Sequence, residues 1–162
     1  MMELIKITEA NNILAEMVAS FRVELRSYKG ITSKPNVDAG REEMEEYLAA
    51  GFPVFAAMVD GQYAGYVVCR VDSEVVWVES IFVKEEYRRQ GIATVLHSKA
   101  EEIAASYGEE TVYNYVHPNN HRMIEFLRKC GYTVLNLIEI RKPYKGEKLT
   151  QTLVVGEHEF DY

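Results

Sequence analysis

The sequence predicts an α/β fold in which a central, mostly antiparallel mixed β-sheet carries helices on both faces. Three β-rich runs follow one another along the chain: residues 54–59, 63–71 and 75–83. The turn signals Asp60-Gly61 and Asp72-Ser73 join them, which predicts three consecutive antiparallel strands. A helical segment then leads to another β-rich run, so the strands before and after that helix should be parallel.

The first half of the chain adds one strand and two helices to this core. Residues 3–8 alternate enough to form a short first strand. Asn11 and Asn12 offer N-caps for a helix whose apolar residues recur at helical spacing. Residues 27–40 are rich in loop formers, and a second helix is predicted over residues 42–50.

The second half supplies the crossover and a final hairpin. A helix begins at Gly91 and ends near Gly108, and a strand follows at residues 111–116. Another helix follows the His117-Pro118-Asn119-Asn120 break, and residues 132–140 and 149–155 are predicted to pair as the last two strands. The predicted order is β, α, α, β, β, β, α, β, α, β, β, and the length of 162 residues suits a single domain over residues 1–162.

The turn between the third consecutive strand and the next helix has the features of a phosphate site. The first N–H groups of a helix lack intrahelical partners, and the helix dipole reinforces them. Gly91 lets the backbone approach a ligand closely, and Arg88 and Arg89 add donors that match phosphate oxygens. Neither a Gly-x-x-x-x-Gly-Lys-Ser/Thr loop nor a three-glycine dinucleotide fingerprint is present.

Two motifs resemble those of the GNAT superfamily of N-acyltransferases. Arg88-Arg89-Gln90-Gly91-Ile92-Ala93 has the Arg-x-x-Gly-x-Ala spacing of the family's acyl-CoA pyrophosphate loop. The segment from Asn120 through Phe126 to Gly131-Tyr132 resembles the family's Asn-x-x-Ala-x-x-Phe-Tyr-x-x-x-Gly-Phe segment. The predicted order of elements is also the GNAT order, so the resemblance covers nearly the whole chain.

The resemblance implies a binding site for acetyl-CoA as co-substrate. In the family, the strand before the loop and the parallel strand after its helix separate at a bulge, and pantetheine enters the gap. Backbone groups of Ile81, Phe82 and Val83 would then pair with pantetheine. The residues that would wrap the pyrophosphate are Arg88, Arg89, Gln90, Gly91, Ile92, Ala93 and Thr94. Asn120 and Phe126 would contact the cofactor from the other side, although Asn120 is as readily an N-cap.

Acetyl transfer to an amine needs a group that accepts a proton. Glu79 is our candidate base, because it is the only ionisable side chain in residues 75–83 and would be partly desolvated in a central strand. The alternative is that Glu79 lies at an exposed strand end or pairs with an arginine.

The proton donor is less well defined. Leu127 occupies the position where many GNAT proteins carry a tyrosine, and leucine cannot donate a proton. Tyr132 is our candidate acid, with Tyr115, His117 and Cys130 as other nearby groups. Each also has a structural explanation, and water could instead protonate the leaving thiolate.

Composition restricts the partners. The formal net charge of −7 argues against nucleic acid or an anionic membrane. The histidines show no metal-ligand spacing and the two cysteines no Cys-x-x-Cys motif, so we expect no metal.

No secretory or membrane-spanning pattern is present, which predicts a cytoplasmic protein. An exposed edge of the terminal strands could support a homodimer.

These observations predict an acyltransferase that moves an acetyl group from acetyl-CoA to a primary amine of a small molecule or peptide, by direct attack in a ternary complex. The acidic residues Asp38, Glu42, Glu43, Glu45 and Glu46 could attract a cationic acceptor, or could simply form a solvated helix face. A catalytically inactive acyl-CoA-binding module is the alternative, and Leu127 is its main support. The plainest alternative is an α/β domain whose loop binds some other phosphate, which predicts no preference for CoA over ATP.

Overall fold

A five-stranded mixed sheet organises the first 132 residues. The computed structural model describes residues 1–162, which divide into two units, residues 1–132 and residues 133–162. The strands of the first unit are β1 (Met2–Lys6), β2 (Val54–Val59), β3 (Gln62–Asp72), β4 (Val75–Val83) and β5 (Tyr113–Asn114). They lie side by side in chain order, antiparallel except for the parallel pair β4 and β5. The predicted mixed sheet is confirmed, whereas a single domain over all 162 residues stays a prediction.

Four α-helices accompany this sheet. They are α1 (Asn12–Ser27), α2 (Val37–Ala49), α3 (Ile92–Ser106) and α4 (His121–Lys129), and a single 3-10 turn, Glu85–Tyr87, precedes α3. The order of elements is the one predicted. None of these helices has the length and apolar character needed to cross a bilayer.

The two faces of the sheet bury separate apolar clusters. On one face, Leu14 and Met17 of α1 and Met44 of α2 pack with Tyr66 and Phe82 of the sheet. On the other face, Leu96 and Ala100 of α3 pack with Val67, Cys69 and Val76. Helices on both faces are therefore confirmed, and the alternation of buried positions along β4 follows from its two covered faces.

Helices α1 and α2 touch at the backbone. Gly40 of α2 is buried, and a Cβ at that position would overlap the carbonyl oxygen of Ala15 and lie 3.0 Å from the backbone nitrogen of Ala19. Only glycine permits this separation, because any side chain would force the helices apart.

Helix α2 begins earlier and β5 is shorter than predicted. The side chain of Asn36 accepts a hydrogen bond from the Ala39 amide, so α2 starts at Val37 within the stretch predicted as loop. The predicted strand at residues 111–116 is reduced to Tyr113–Asn114, because its pairing with β4 ends after two residue pairs.

The second unit corrects the prediction for the last hairpin. Residues 132–140 form no strand, and the hairpin instead joins β6 (Thr152–Val155) to β7 (His158–Asp161). Val155 pairs with His158 across a two-residue turn in which Gly156 has a φ of 62°. This tight turn closes a much shorter loop than the predicted connection through Pro143 and Gly146, and short loops cost less entropy to close.

We expect Gly40→Ala to lower the free energy of unfolding by about 1–3 kcal/mol, the usual cost of overpacking. At a solvent-exposed helix position the same change would stabilise the protein by up to about 1 kcal/mol, because alanine is the better helix former. Chemical denaturation shows directly whether Gly40→Ala lowers or raises the free energy of unfolding. Ala39→Ser at the exposed neighbouring position is the control and should change stability by less than about 0.5 kcal/mol. A Gly40→Ala variant as stable as the parent would contradict the close contact.

Candidate functional site

A cleft of about 290 Å³ lies beside the end of β4, with walls from α1, α4 and the start of α3. All but one of the predicted cofactor-binding residues line it. They are Ile81, Phe82, Val83, Arg88, Arg89, Gly91, Ile92, Ala93, Thr94, Asn120 and Phe126. The exception is Gln90, which is exposed and donates a hydrogen bond from its amide to the carbonyl of Glu86 at 3.2 Å. The structure therefore brings together residues as far apart in the sequence as Ile81 and Phe126.

The cleft begins where β4 and β5 separate. The two strands pair only at Trp77 with Tyr113 and at Val78 with Asn114. On the other side of β4, Val68 pairs with Ser80 and Cys69 with Val78, so Glu79 has no opposite residue and forms a β-bulge. The residues of β4 that follow the bulge no longer have a strand on their β5 side. Their backbone groups can pair with an extended ligand in the gap.

The start of α3 is open to an anion. Side chains of Asn11, Asn36 and Asn120 cap α1, α2 and α4, whereas α3 has Gly91 at its N-cap and no capping side chain. Gly91 adopts a φ of 81° and Arg89 a φ of 64°, so the chain turns sharply into the helix. The first amides of α3 consequently keep their hydrogens available, and the helix dipole favours negative charge beside them.

Arg88 is held in position at the mouth of this cleft. Its Nε donates to the carbonyl oxygen of Val83 at 2.9 Å, and its guanidinium lies 5.6 Å from the ring centre of Phe82. A terminal nitrogen of Arg88 donates to Glu24 of α1, which also accepts a hydrogen bond from Arg122 at 2.9 Å. The cluster has one more positive than negative charge, so it still attracts an anion.

Asn120 is the N-cap of α4 and also lies in the wall of the cleft. Its side-chain oxygen accepts from the Met123 amide at 3.1 Å and caps α4. The residue also lines the cleft. Because the cap uses only the oxygen, the amide NH₂ can donate to a ligand.

Glu79 pairs with an arginine, which is the alternative to a catalytic role that the sequence left open. Its carboxylate lies 3.1 Å from Nε of Arg70, and its side chain is 31% exposed. The Arg70 guanidinium in turn stacks over Trp77, 4.3 Å from the ring centre. Glu79 occupies the bulge that opens the cleft, but it is not among the residues that line the cleft.

Tyr132 lies further along α3 than the cleft, beside Glu101 and His97. Its hydroxyl donates to Glu101 at 2.8 Å, and its ring meets the edge of His97 at 4.9 Å between ring centres. Burial, together with Glu101, raises the pKa of Tyr132. The residue is absent from the lining of the cleft. Leu127, in the position of the family's tyrosine, is buried.

His97 is a buried group that the sequence pattern did not reveal. One ring nitrogen lies 3.2 Å from the side-chain oxygen of Asn114, and the ring contacts Phe126 of the cleft edge-on. Burial lowers the pKa of His97, so the imidazole is neutral at pH 7. Glu24 and Arg122 were also missed, since nothing in the local sequence places them beside Arg88.

The comparisons with known proteins agree with this geometry. The sequence profile of the acetyltransferase (GNAT) family matches residues 18–132. The chain is 31% identical over 114 residues to an N-alpha-acetyltransferase of Sulfurisphaera tokodaii and 30% identical over 115 residues to one of Saccharolobus solfataricus. Each match covers 60% of this chain and 64% or 65% of the relative, so the chain spans just under two thirds of the length of these relatives.

Solved structures share the fold at low sequence identity. The aminoglycoside acetyltransferase AAC(6')-Iy, in complex with a CoA-containing bisubstrate analogue, is 23% identical with a TM-score of 0.65, covering 88% of this chain and 99% of its own. The PaiA N-acetyltransferase from Thermoplasma acidophilum, in complex with coenzyme A, is 19% identical with a TM-score of 0.66, covering 80% and 88%. In this chain, too, the parallel strands separate and an uncapped helix follows an Arg-x-x-Gly-x-Ala loop. Together with the profile match, these features establish that this chain belongs to the GNAT family of acetyltransferases.

Proposed function

We propose that this protein is an acyltransferase that moves an acetyl group from acetyl-CoA to a primary amine. The observation that carries the proposal is the cleft in which the open start of α3, Arg88 and the unpaired end of β4 converge. The N-acetyltransferase names of the relatives, and the CoA present in the neighbouring structures, support the same donor.

Each part of the cleft suits one part of acetyl-CoA. The amides at the start of α3 and the guanidinium of Arg88 suit the pyrophosphate, because both offer directed donors with positive charge. The end of β4 suits pantetheine, whose amides can pair with Ile81 and Val83 as a neighbouring strand would. Asn120 and Phe126 then close the cleft from the side of α4.

The proposed reaction is a direct transfer. The amine nitrogen of the acceptor attacks the thioester carbonyl carbon, so that a C–N bond forms and the C–S bond breaks. The amine proton passes to a base, and the departing thiolate takes up a proton from an acid. Holding both substrates in one site makes the attack effectively unimolecular.

Glu79 is the proposed base. It is the ionisable side chain at the bulge, next to the point at which the pantetheine would end, and Arg70 fixes its orientation. Solvent reaches its partly exposed carboxylate, so a water molecule can relay the proton from the amine.

The acid stays a prediction. Tyr132 is the candidate acid from the sequence, but its hydroxyl donates to Glu101, and its raised pKa makes it a weaker acid. Water is the alternative. A thiol with an ordinary pKa of about 8.5 can leave as the thiolate without an acid beside it, and the thiolate then takes up a proton from solvent at neutral pH.

Titration with acetyl-CoA by calorimetry tests the cleft. We expect acetyl-CoA and CoA to bind and ATP to bind much more weakly, because ATP has no pantetheine arm. In the Arg88→Glu/Gly91→Glu variant, affinity should fall about 10- to 100-fold or more, the value of one or more charged hydrogen bonds.

The matched control for this titration is Arg128→Glu/Gly108→Glu. It makes the same charge change, and Gly108 has a φ of 85°, close to the 81° of Gly91, at the other end of α3. Arg128 and Gly108 lie outside the cleft, so this variant should bind acetyl-CoA like the parent. Equal binding of ATP and acetyl-CoA, or equal losses in both variants, would contradict the assignment of the cleft.

Turnover in Glu79→Gln tests the base. We expect kcat to fall about 10²- to 10⁴-fold, the usual contribution of a general base, while acetyl-CoA binding is unchanged. Arg70→Gln is the control, because it breaks the same ion pair but keeps the carboxylate. If both variants lose activity equally, the pair is structural and Glu79 is not the base.

The inactive acyl-CoA-binding module remains the second candidate, because buried Leu127 replaces the tyrosine of many family members. Tight acetyl-CoA binding without turnover of any amine would favour it over the enzyme.

A further inference from the structure

A second cavity adjoins the cofactor cleft. It has a volume of about 480 Å³, is open to solvent, and is lined by the C-terminal half of α1, the N-terminal half of α2 and the loop that joins these helices. Sites for small molecules in proteins have volumes in this range, about 300–1,000 Å³. Neither Glu79 nor any residue of the Arg-x-x-Gly-x-Ala loop lines it.

The lining of this cavity is strongly basic. Arg22, Arg26, Lys29 and Lys34 contribute to it, whereas Glu43 is its only carboxylate. This is unusual in a chain whose formal net charge is −7. Positive charges gathered around one concave surface focus the electrostatic potential there and raise the local concentration of anions.

The single carboxylate is already neutralised. Arg22 donates to both oxygens of Glu43, from Nε at 2.7 Å and from a terminal nitrogen at 2.6 Å. None of the other three cations, Arg26, Lys29 and Lys34, makes a salt bridge. The cavity therefore presents three positive charges with no internal counterion.

The acidic residues considered in the sequence do not change this balance. Asp38, Glu42, Glu45 and Glu46 are exposed and do not line the cavity. They form the solvated helix face that the sequence allowed as the simpler explanation. A cationic acceptor would thus meet basic side chains in this cavity.

The cavity and the cofactor cleft share a wall. Leu25 of α1 lines both of them. Tyr28 lines the cleft, and its ring stacks on His117 of the cavity with 6.1 Å between ring centres. An acceptor in the cavity can therefore direct one end past these side chains toward the donor.

His117 lies at this boundary. Its Nδ1 accepts from the Asn119 amide at 3.1 Å, which assigns the proton of the neutral ring to Nε2. Burial, assisted by the charge of Lys29, lowers the pKa of His117, so the ring is neutral at pH 7. A neutral imidazole at this boundary does not carry a positive charge that would repel the attacking amine when the amine is protonated.

We propose, building on the acetyl transfer proposed above, that this cavity is the acceptor site and that Arg26, Lys29 and Lys34 select primary amines that also carry anionic groups. An acceptor the size of an acidic dipeptide fits the volume. Its carboxylates lie on the basic wall, and its amine passes Leu25 to attack the thioester.

The test measures kcat/KM for three dipeptides with amidated C-termini, built from glutamate, from glutamine and from lysine. The three have similar lengths and the same acceptor amine at the N-terminus, but different side-chain charges. We expect the glutamate dipeptide to be used about tenfold or more better than the glutamine dipeptide, and the lysine dipeptide worst. O-phosphoserine amide compared with serine amide shows whether a phosphate serves as well as a carboxylate.

Two charge-neutralised variants connect this preference to the cavity. In Arg26→Gln/Lys34→Gln, the ratio of kcat/KM for the glutamate and glutamine dipeptides should fall toward one. Lys6→Gln/Arg128→Gln removes the same charge from exposed residues outside the cavity and should keep the parental ratio. A ratio that falls equally in both variants would reflect net charge alone and overturn the proposal.

The outcomes separate this inference from the proposed function. Turnover that favours the glutamine or lysine dipeptide, or an aminoglycoside, overturns the acceptor inference and leaves acetyl transfer standing. If no amine is acetylated, calorimetry of the glutamate and glutamine dipeptides with CoA-saturated protein replaces the kinetic test. Selective binding of the glutamate dipeptide then supports the cavity, and equal or absent binding overturns it.

Discussion

The separation of β4 from β5 is the constraint on which the rest of the candidate site depends. Their parallel pairing stops after Val78 and Asn114, and the bulge at Glu79 follows at once. Backbone groups in a buried strand need hydrogen-bond partners, so a strand that loses its neighbour requires a ligand or solvent there. The Arg88–Ala93 loop follows directly in the chain, which fixes its distance from the unpaired strand. One local departure from regular pairing thus opens the gap beside β4 and places the uncapped start of α3 near that gap.

Local signals account for most of the fold that could be predicted. The turn at Asp60-Gly61, the cap at Asn11 and the apolar periodicity of α1 are set by residues close in sequence, and each appears where expected. The errors arose where two local signals competed. Asn36 starts α2 inside a stretch rich in loop formers, and the tight turn at Gly156 closes the last hairpin in place of a longer connection.

The site was predictable only where it is contiguous or carries a family motif. Residues 81–94 form one segment, and Asn120 belongs to a second motif, so the sequence could indicate that residues from both line one cleft. Glu24 could not, because its contact with Arg88 joins residues 64 positions apart and depends on how α1 packs on the sheet. His97 was missed for a related reason, since its partner Asn114 comes from a different element.

The backbone contact at Gly40 has a consequence for recognition. Side-chain walls adapt to a ligand by changing rotamer, but a wall set by two touching backbones cannot move without shifting whole helices. Because α1 and α2 meet at Gly40, which lines the basic cavity, the wall of the cavity at that point has a fixed position. Arg26, Lys29 and Lys34, by contrast, are exposed, and each has several rotatable side-chain bonds. The cavity therefore has a wall of fixed position, which limits the size of a bound molecule. Its basic side chains can change conformation to contact the charged groups of that molecule.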